Sequence, residues 1–318
     1  MYTRLKHSVK QLFPPAPTWK VDDIPDQTGR VHVVTGGCAG IGYETVKALL
    51  NKNAKVYMAA RSRAKSEDAI AKLKTETGHE ALFLELDLAS LSSVKRSAEE
   101  LLQKEKEIHV LYDNAGVMFT DPKLLTEDGY DLTFGTNVLG HFYFTQLLLP
   151  ALLAARARVV IVSSVAMLCF PFTTLNMDIL KDGPARDKFN GVTSKYWMYG
   201  KSKLANCVHA QELHRRYAKD GLTVISVNPG NIRTDLYQHT AGPLRLVAFD
   251  AFMHPPPFGA LSSLYSGTAP EAAELGGKFI VPWARVGTPA PKAVDPKVGT
   301  QLWTWLEEQV SLYEKSKL

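Results

Sequence analysis

Tyr199 and Lys203 stand four positions apart in the run Tyr199-Gly200-Lys201-Ser202-Lys203. On a helix that spacing puts the phenol and the ammonium on one face. A phenol ordinarily keeps its proton up to about pH 10. A cation beside it stabilises the phenolate and draws that value down. Such a tyrosine can give a proton to a carbonyl oxygen or take one from an alcohol. The spacing alone is a weak signal, since Tyr2/Lys6, Tyr43/Lys47 and Tyr313/Lys317 repeat it. Position in the chain separates the four. Tyr2 and Tyr313 lie near the ends, and Tyr43 follows a glycine-rich turn whose helix must pack on a sheet. Tyr199 is expected to open the helix between a fifth and a sixth strand, where the central strands end.

Two further polar residues belong with this pair. Val162-Ser163-Ser164 closes the fifth apolar run, and Ser164 is placed to hydrogen-bond a substrate oxygen beside Tyr199. A serine capping a loop is the plainer reading, and Ser163 is its immediate neighbour. Asn137, in Gly135-Thr136-Asn137-Val138-Leu139-Gly140-His141, falls in an apolar helical stretch where asparagine is a poor helix former. Its side chain needs a partner there, either a backbone carbonyl or a proton-relay water.

A phosphate cradle precedes them. After the first apolar run comes Thr35-Gly36-Gly37-Cys38-Ala39-Gly40-Ile41-Gly42, then a helical pattern. Glycines at 36, 40 and 42 let the backbone turn tightly and approach a pyrophosphate, and the following helix N-terminus offers N–H groups to it. The spacing is GxxxGxG. The second apolar run ends at Ala59-Ala60-Arg61-Ser62-Arg63, and no acid stands there to accept from an adenosine 2′-hydroxyl. Arg61 and Arg63 suit a 2′-phosphate, which favours NADP(H) over NAD(H).

The elements that must hold these residues alternate. Short Val/Ile/Leu-rich runs at 31–35, 54–60, 81–88, 109–113, 158–163, 222–227 and 278–282 predict strands buried on both faces. Helical patterns lie between them at 64–77, 91–105, 136–155 and 199–219, with a last one at 300–313. That alternation predicts an α/β fold: one Rossmann-type, doubly wound parallel sheet with helices on both faces. Residues 1–28 read as an N-terminal extension and 29–318 as one dinucleotide-binding oxidoreductase domain. Two long excursions, 165–198 and about 236–265, are expected to act as substrate lids. The first carries Met167, Leu168, Phe170 and Phe172. The second carries Leu244, Leu246, Val247, Phe249, Phe252, Met253 and Phe258, with Pro255, Pro256 and Pro257 expected to break any helix.

Composition narrows the classes. The chain has 318 residues, 45% hydrophobic and 22% charged, enough for a sizeable core. The longest charge-free apolar stretches, such as 142–155, fall short of the ~18–20 residues of a membrane span. Three scattered cysteines, Cys38, Cys169 and Cys207, predict neither a disulfide framework nor a metal site, and suit a reducing, cytoplasmic setting. The net charge of +5 is dispersed, without the basic run that nucleic acid would require.

Taken together, these residues resemble the short-chain dehydrogenase/reductase family. The matching pieces are TGGCAGIG at 35–42, Asp87-Leu88, Asp113-Asn114-Ala115-Gly116, Asn137, Val162-Ser163-Ser164, YGKSK at 199–203, and Asn228-Pro229-Gly230 with Thr234. They fall in family order over about 200 residues. Residues 135–142, 199–206 and 212–216 are most similar to the retinol-dehydrogenase-like and WW-domain-oxidoreductase-like branch.

The resemblance implies a role for each residue. Tyr199 would be the acid/base, and Lys203 would bind the nicotinamide ribose and lower the tyrosine pKa. Ser164 would orient the substrate oxygen, and Asn137 would hold a relay water. Asp87 would contact adenine and Asn114 would lie over the adenosine ribose. The backbone at Ile41 and Ile232 and the Thr234 hydroxyl would meet pyrophosphate and carboxamide. Asp113 departs from the family's Asn-Asn-Ala-Gly, and Ser164 precedes Tyr199 by 35 residues, more than the commoner family spacing.

The implied activity is NADP(H)-dependent hydride exchange with a small lipophilic carbonyl or alcohol, because the excursions carry apolar side chains rather than a basic cluster. The alternative is a non-catalytic dinucleotide-binding regulator with the same fold. Peripheral membrane contact through 244–258 is compatible with the first of these readings, and a homo-oligomer is admitted.

Overall fold

The computed structural model describes residues 11–169, 175–191, 193–234, 236 and 253–317. Its centre is an eight-stranded sheet in the order β3-β2-β1-β4-β5-β6-β7-β8. The strands are β1 (Val31–Thr35), β2 (Lys55–Ala60), β3 (Leu82–Glu85), β4 (Val110–Asp113), β5 (Arg158–Val162), β6 (Thr223–Val227), β7 (Phe279–Val281) and β8 (Arg285–Gly287). Seven run parallel, and β8 returns antiparallel beside β7. All five residues of β1 and all four of β4 are buried, as expected of strands covered on both faces.

Helices cover the two faces. On one lie α1 (Gly40–Leu50), α2 (Arg63–Thr77) and α6 (Pro256–Thr268). On the other lie α3 (Leu91–Lys104), α4 (Gly140–Ala154), α5 (Ser194–Tyr217) and α7 (Pro296–Lys315). The strand order reverses between β1 and β4, so their carboxyl ends open the crevice in which a doubly wound fold binds ligands. The fold is therefore the doubly wound α/β sheet that the alternating pattern predicts.

Several elements differ from expectation. The helix expected to open at Tyr199 begins at Ser194, which puts Tyr199 in its second turn. The prolines expected to break a helix start one instead: Pro255 is the extended N-cap, and Pro256 and Pro257 occupy the first turn of α6. Proline is tolerated there because those N–H groups have no intrahelical partner. Residues 256–265 of the expected lid are thus a core helix, with Leu261 and Leu264 buried; residues 237–252 lie outside the described residues.

The first excursion is also partly built into the body. Ile179 and Leu180 are buried. Arg186 pairs with Asp131 at 3.2 Å, both side chains almost wholly buried. Met167 belongs to the core, with the Cys207 thiol 3.3 Å from its sulfur, while Phe170 and Phe172 lie outside the described residues.

The apolar stretch expected to be too short for a bilayer continues a helix. Among the described residues, Leu132–Ala154 is one helix long and apolar enough to cross a membrane, with 67% of its most apolar window buried inside the fold. It contains a π turn at Gly135–Leu139 and leads into α4.

Candidate active site

The turn after β1 builds an anion cradle from backbone. Gly36 and Gly40 have φ of +67° and +52°, a region in which L side chains are strained. A Cβ at Gly42 would lie 2.8 Å from the Asn114 amide nitrogen, so only glycine lets α1 start this close to β4. The N-cap of α1 is Ala39 and no side chain caps it, which leaves the helix N-terminus to a ligand. The cradle fits the phosphates of a dinucleotide.

Thr35 and Asn114 lock the two central strand ends together. Asn114 donates from Nδ2 to the Thr35 carbonyl at 2.8 Å, and its own N–H donates to Thr35 Oγ1 at 2.9 Å. Ala115 donates to the same hydroxyl at 2.9 Å. Asp87 follows β3 and accepts from the Ala89 N–H at 2.9 Å in an Asx turn.

Arg61 follows β2 and is exposed, with no ion pair among the described residues. Arg63 is drawn away: it faces Glu85 and Glu67 at 3.6 and 3.7 Å and lies over the Phe83 ring. Of the two arginines that suited a 2′-phosphate, Arg61 remains available.

The loop after β6 closes the cradle from the other side. A Cβ at Gly40 would lie 3.1 Å from the Thr234 methyl, so this threonine sits directly against the glycine turn. Ile232 is buried and forms a bridge with His254.

Lys203 lies on α5 with its side chain buried. Its ammonium donates to the Val162 carbonyl at 2.9 Å, the last residue of β5, and Asn206 donates to the same oxygen at 2.9 Å. The Lys203 Nζ stands 5.9 Å from the centre of the Tyr199 ring. Burial pulls the lysine from its usual range down to about 8. Tyr199 itself is 7% exposed, and the Phe119 ring meets it edge-on at 5.4 Å.

Asn137 sits in the π turn with its side chain engaged. Oδ1 accepts from the Val117 N–H at 2.8 Å, and Nδ2 donates to the Val117 carbonyl and the Ser202 hydroxyl at 3.0 and 3.1 Å. The Val117 backbone is thus a partner of the kind that the sequence reading names. The Val117 N–H is the donor to Oδ1 among the described residues.

Ser163 and Ser164 divide their work. The Ser163 hydroxyl is buried and donates to the Lys203 carbonyl at 2.6 Å, pinning α5 to β5. Ser164 is half-buried and accepts from the Ala166 N–H at 3.2 Å, the loop-capping bond its plainer reading predicts.

Three residues of this site were not singled out from the sequence. Phe119 adopts φ of +54°, uncommon for so bulky a residue, and its ring contacts both Tyr196 (4.7 Å) and Tyr199. His141 bridges the cradle and the π turn: its Nδ1 meets the Asn137 carbonyl at 3.2 Å and its Nε2 meets Thr35 Oγ1 at 2.9 Å. Burial pulls His141 down to about 3, so the neutral ring donates from Nδ1 and accepts at Nε2. The i to i+4 spacing from Asn137 was the signal available for it. Gly259 on α6 is the third; a Cβ there would lie 2.7 Å from Ile41 and 2.9 Å from Ile232.

Similarity to known proteins agrees with this geometry. Residues 30–172 match the family model described as short chain dehydrogenase. A short-chain dehydrogenase/reductase of Armillaria gallica is 53% identical over 310 residues, covering 96% of this chain and 98% of that one. The chain belongs to the short-chain dehydrogenase/reductase family. Human retinol dehydrogenase 14 is 35% identical over 305 residues, covering 89% of this chain and 87% of that one, in line with the retinol-dehydrogenase-like branch. A solved structure of an uncharacterised protein from Mycobacterium paratuberculosis superposes with a TM-score of 0.69 at 31% identity, covering 92% and 97% of the two chains. The Pseudomonas aeruginosa RhlG/NADP complex shares the fold, with a TM-score of 0.63 at 24% identity over 81% of this chain and 95% of that one. As a short-chain dehydrogenase/reductase the chain is an oxidoreductase that works with a nicotinamide dinucleotide, and the Gly36–Gly42 cradle is where this family member would hold its phosphates.

Proposed function

We propose that the chain is an NADP(H)-dependent oxidoreductase that interconverts a lipophilic carbonyl compound and its alcohol, with Tyr199 as acid/base. The observation that carries this reading is the pairing of Tyr199 with a buried Lys203 whose ammonium is fixed on the Val162 carbonyl. The hydride is the chemistry that a nicotinamide supplies when bound.

The chain's own residues manage the proton. In the reducing direction the Tyr199 hydroxyl gives its proton to the carbonyl oxygen, and the Lys203 ammonium stabilises the phenolate left behind. The Ser164 hydroxyl orients the same oxygen. Asn137 acts as a positioning residue, tying the 117 loop to α5 through Val117 and Ser202. Its Oδ1 is the place for a relay water.

Arg61 supports the choice of NADP(H), since an exposed guanidinium after β2 can fork onto a 2′-phosphate and no acid there repels it. Asp87, Asn114, Ile232 and Thr234 would line the rest of the dinucleotide. The lipophilic substrate follows from the rings of Phe119 and Tyr196 beside Tyr199, which form an apolar wall.

Tyr199→Phe is the test. It is expected to abolish NADPH-dependent reduction of apolar aldehydes and ketones while dinucleotide binding persists. Unchanged turnover would remove Tyr199 from the chemistry. Binding without turnover in the wild type across such a panel would favour a non-catalytic binder.

A further inference from the structure

We propose that residues 11–16 form a strap that positions the loop 228–232 and thereby sets the affinity for the nicotinamide half of the dinucleotide, with Gln11 as its positioning residue. The proposal rests on the dinucleotide reading above. Gln11 belongs to the segment that reads in the sequence as a mere extension, yet it is 3% exposed. Its Oε1 accepts from Asn228 Nδ2 at 2.8 Å, a bond between residues 217 positions apart. The other end of the Asn228 amide accepts the Gly230 N–H at 3.1 Å, so strap and loop together fix that side chain's orientation.

The strap holds at further points. The Leu12 carbonyl accepts from Asn231 Nδ2 at 3.4 Å. The Arg285 guanidinium donates to the Ala16 carbonyl at 2.5 Å and to the Pro15 carbonyl at 3.4 Å. Just beyond, Trp19 meets Tyr265 edge-on at 5.6 Å. The loop thus lies between the strap and the Trp283 ring, against which Gly230 packs.

The consequence is asymmetric. The loop leads straight to Ile232 and to Thr234, which packs on the Gly40 turn, and the dinucleotide reading assigns both to the pyrophosphate and carboxamide. The adenosine half would rest on Gly36, Asn114 and Arg61, none of which is among the described hydrogen-bond partners of Gln11, Leu12, Pro15 and Ala16. Removing the Gln11 acceptor leaves the buried Asn228 N–H unsatisfied and frees the loop to shift. The nicotinamide half should lose affinity and the adenosine half should not.

The experiment titrates two ligands into the full chain: the preferred reduced dinucleotide, and its adenosine fragment (adenosine 2′,5′-bisphosphate for NADPH, AMP for NADH). Gln11→Leu is expected to raise the dinucleotide Kd about fivefold or more while the fragment Kd stays within about twofold. Gln11→Glu, which keeps an acceptor oxygen, should recover most of the loss. Arg285→Gln releases the strap at Pro15 and Ala16 without touching Gln11 and should reproduce the selective loss, which keeps the test available if Gln11→Leu does not fold. An unchanged dinucleotide Kd in both variants, or an equal loss for both ligands, would overturn the proposal. If the wild type binds neither ligand, the cofactor reading fails and takes this proposal with it, an outcome distinct from a variant-specific failure.

Discussion

Gly259 presses its bare backbone against Ile41: a Cβ there would stand 2.7 Å from Ile41 Cγ1, closer than carbon atoms pack. The same point lies 2.9 Å from Ile232 Cγ1. One glycine on α6 therefore makes room for the Ile41 and Ile232 side chains, which come from the two segments on either side of the cradle.

Gly259→Ala is expected to push Ile41 and Ile232 apart. Overpacking of this kind costs about 1–3 kcal/mol. Part of that should appear as weaker dinucleotide binding, about threefold or more, measured by titration. A fall in thermal stability with unchanged binding would show that α6 gives way instead.

Arg61→Ala should discriminate between cofactors. Arg63, the other guanidinium after β2, faces Glu67 and Glu85 instead. The Kd for NADPH is expected to rise about tenfold or more, with the Kd for NADH nearly unchanged. Equal effects on both would remove the 2′-phosphate assignment.

Asp113 should make stability depend on pH. Burial raises its carboxyl to about 8, with the Thr145 hydroxyl acting weakly in the opposite direction. Its Oδ1 has no partner among the described residues. Between about pH 4 and pH 8 the unfolded chain releases this proton and the folded chain keeps it, so stability falls across that window and levels off above it. Asp113→Asn removes the effect. Its melting temperature relative to wild type should therefore climb from pH 5 to pH 8, by about 2 °C or more. A difference that stays flat would mean that Asp113 is already ionised when folded.

Arg186→Met should unfold the chain more easily while sparing the cradle. It strips a buried Asp131 of its partner at 3.2 Å and loses bonds to the carbonyls of Leu124 and Pro122. Breaking a buried pair from one side costs about 3 kcal/mol or more. Calorimetry should show a lower melting temperature, and adding Asp131→Asn should restore part of it. The dinucleotide Kd should stay unchanged, because the pair joins the 122–131 segment to the 184–189 helix and not to the Gly36–Gly42 turn.

The sequence disclosed the parts of this molecule that obey a single pattern. Strands β1, β2 and β4 to β7 were readable because burial on both faces favours nearly continuous apolar residues, whereas β3 was readable from its apolar run although Leu82 and Glu85 are exposed. The glycine cradle and the Tyr199–Lys203 pair were readable because their chemistry constrains both residue type and spacing. Strand β8 was not, since it has three residues and exposes Val286 at 56%. The start of α6 was misread because proline disrupts a helix interior but suits its first turn. Phe119 was invisible because left-handed backbone in a phenylalanine is imposed by neighbours far along the chain. Asn137 was correctly singled out as a polar residue in need of partners, but Val117 and Ser202 come from two other elements, and no local pattern names them.

The strap has a further consequence for how the chain reaches its final form. Asn228 and Arg285, the anchors of this segment, follow their partners in it by 217 and 269 positions. Contacts of such long sequence separation form late, since loop closure must precede them. The 11–16 segment is thus among the last to be seated, after the sheet that carries its partners.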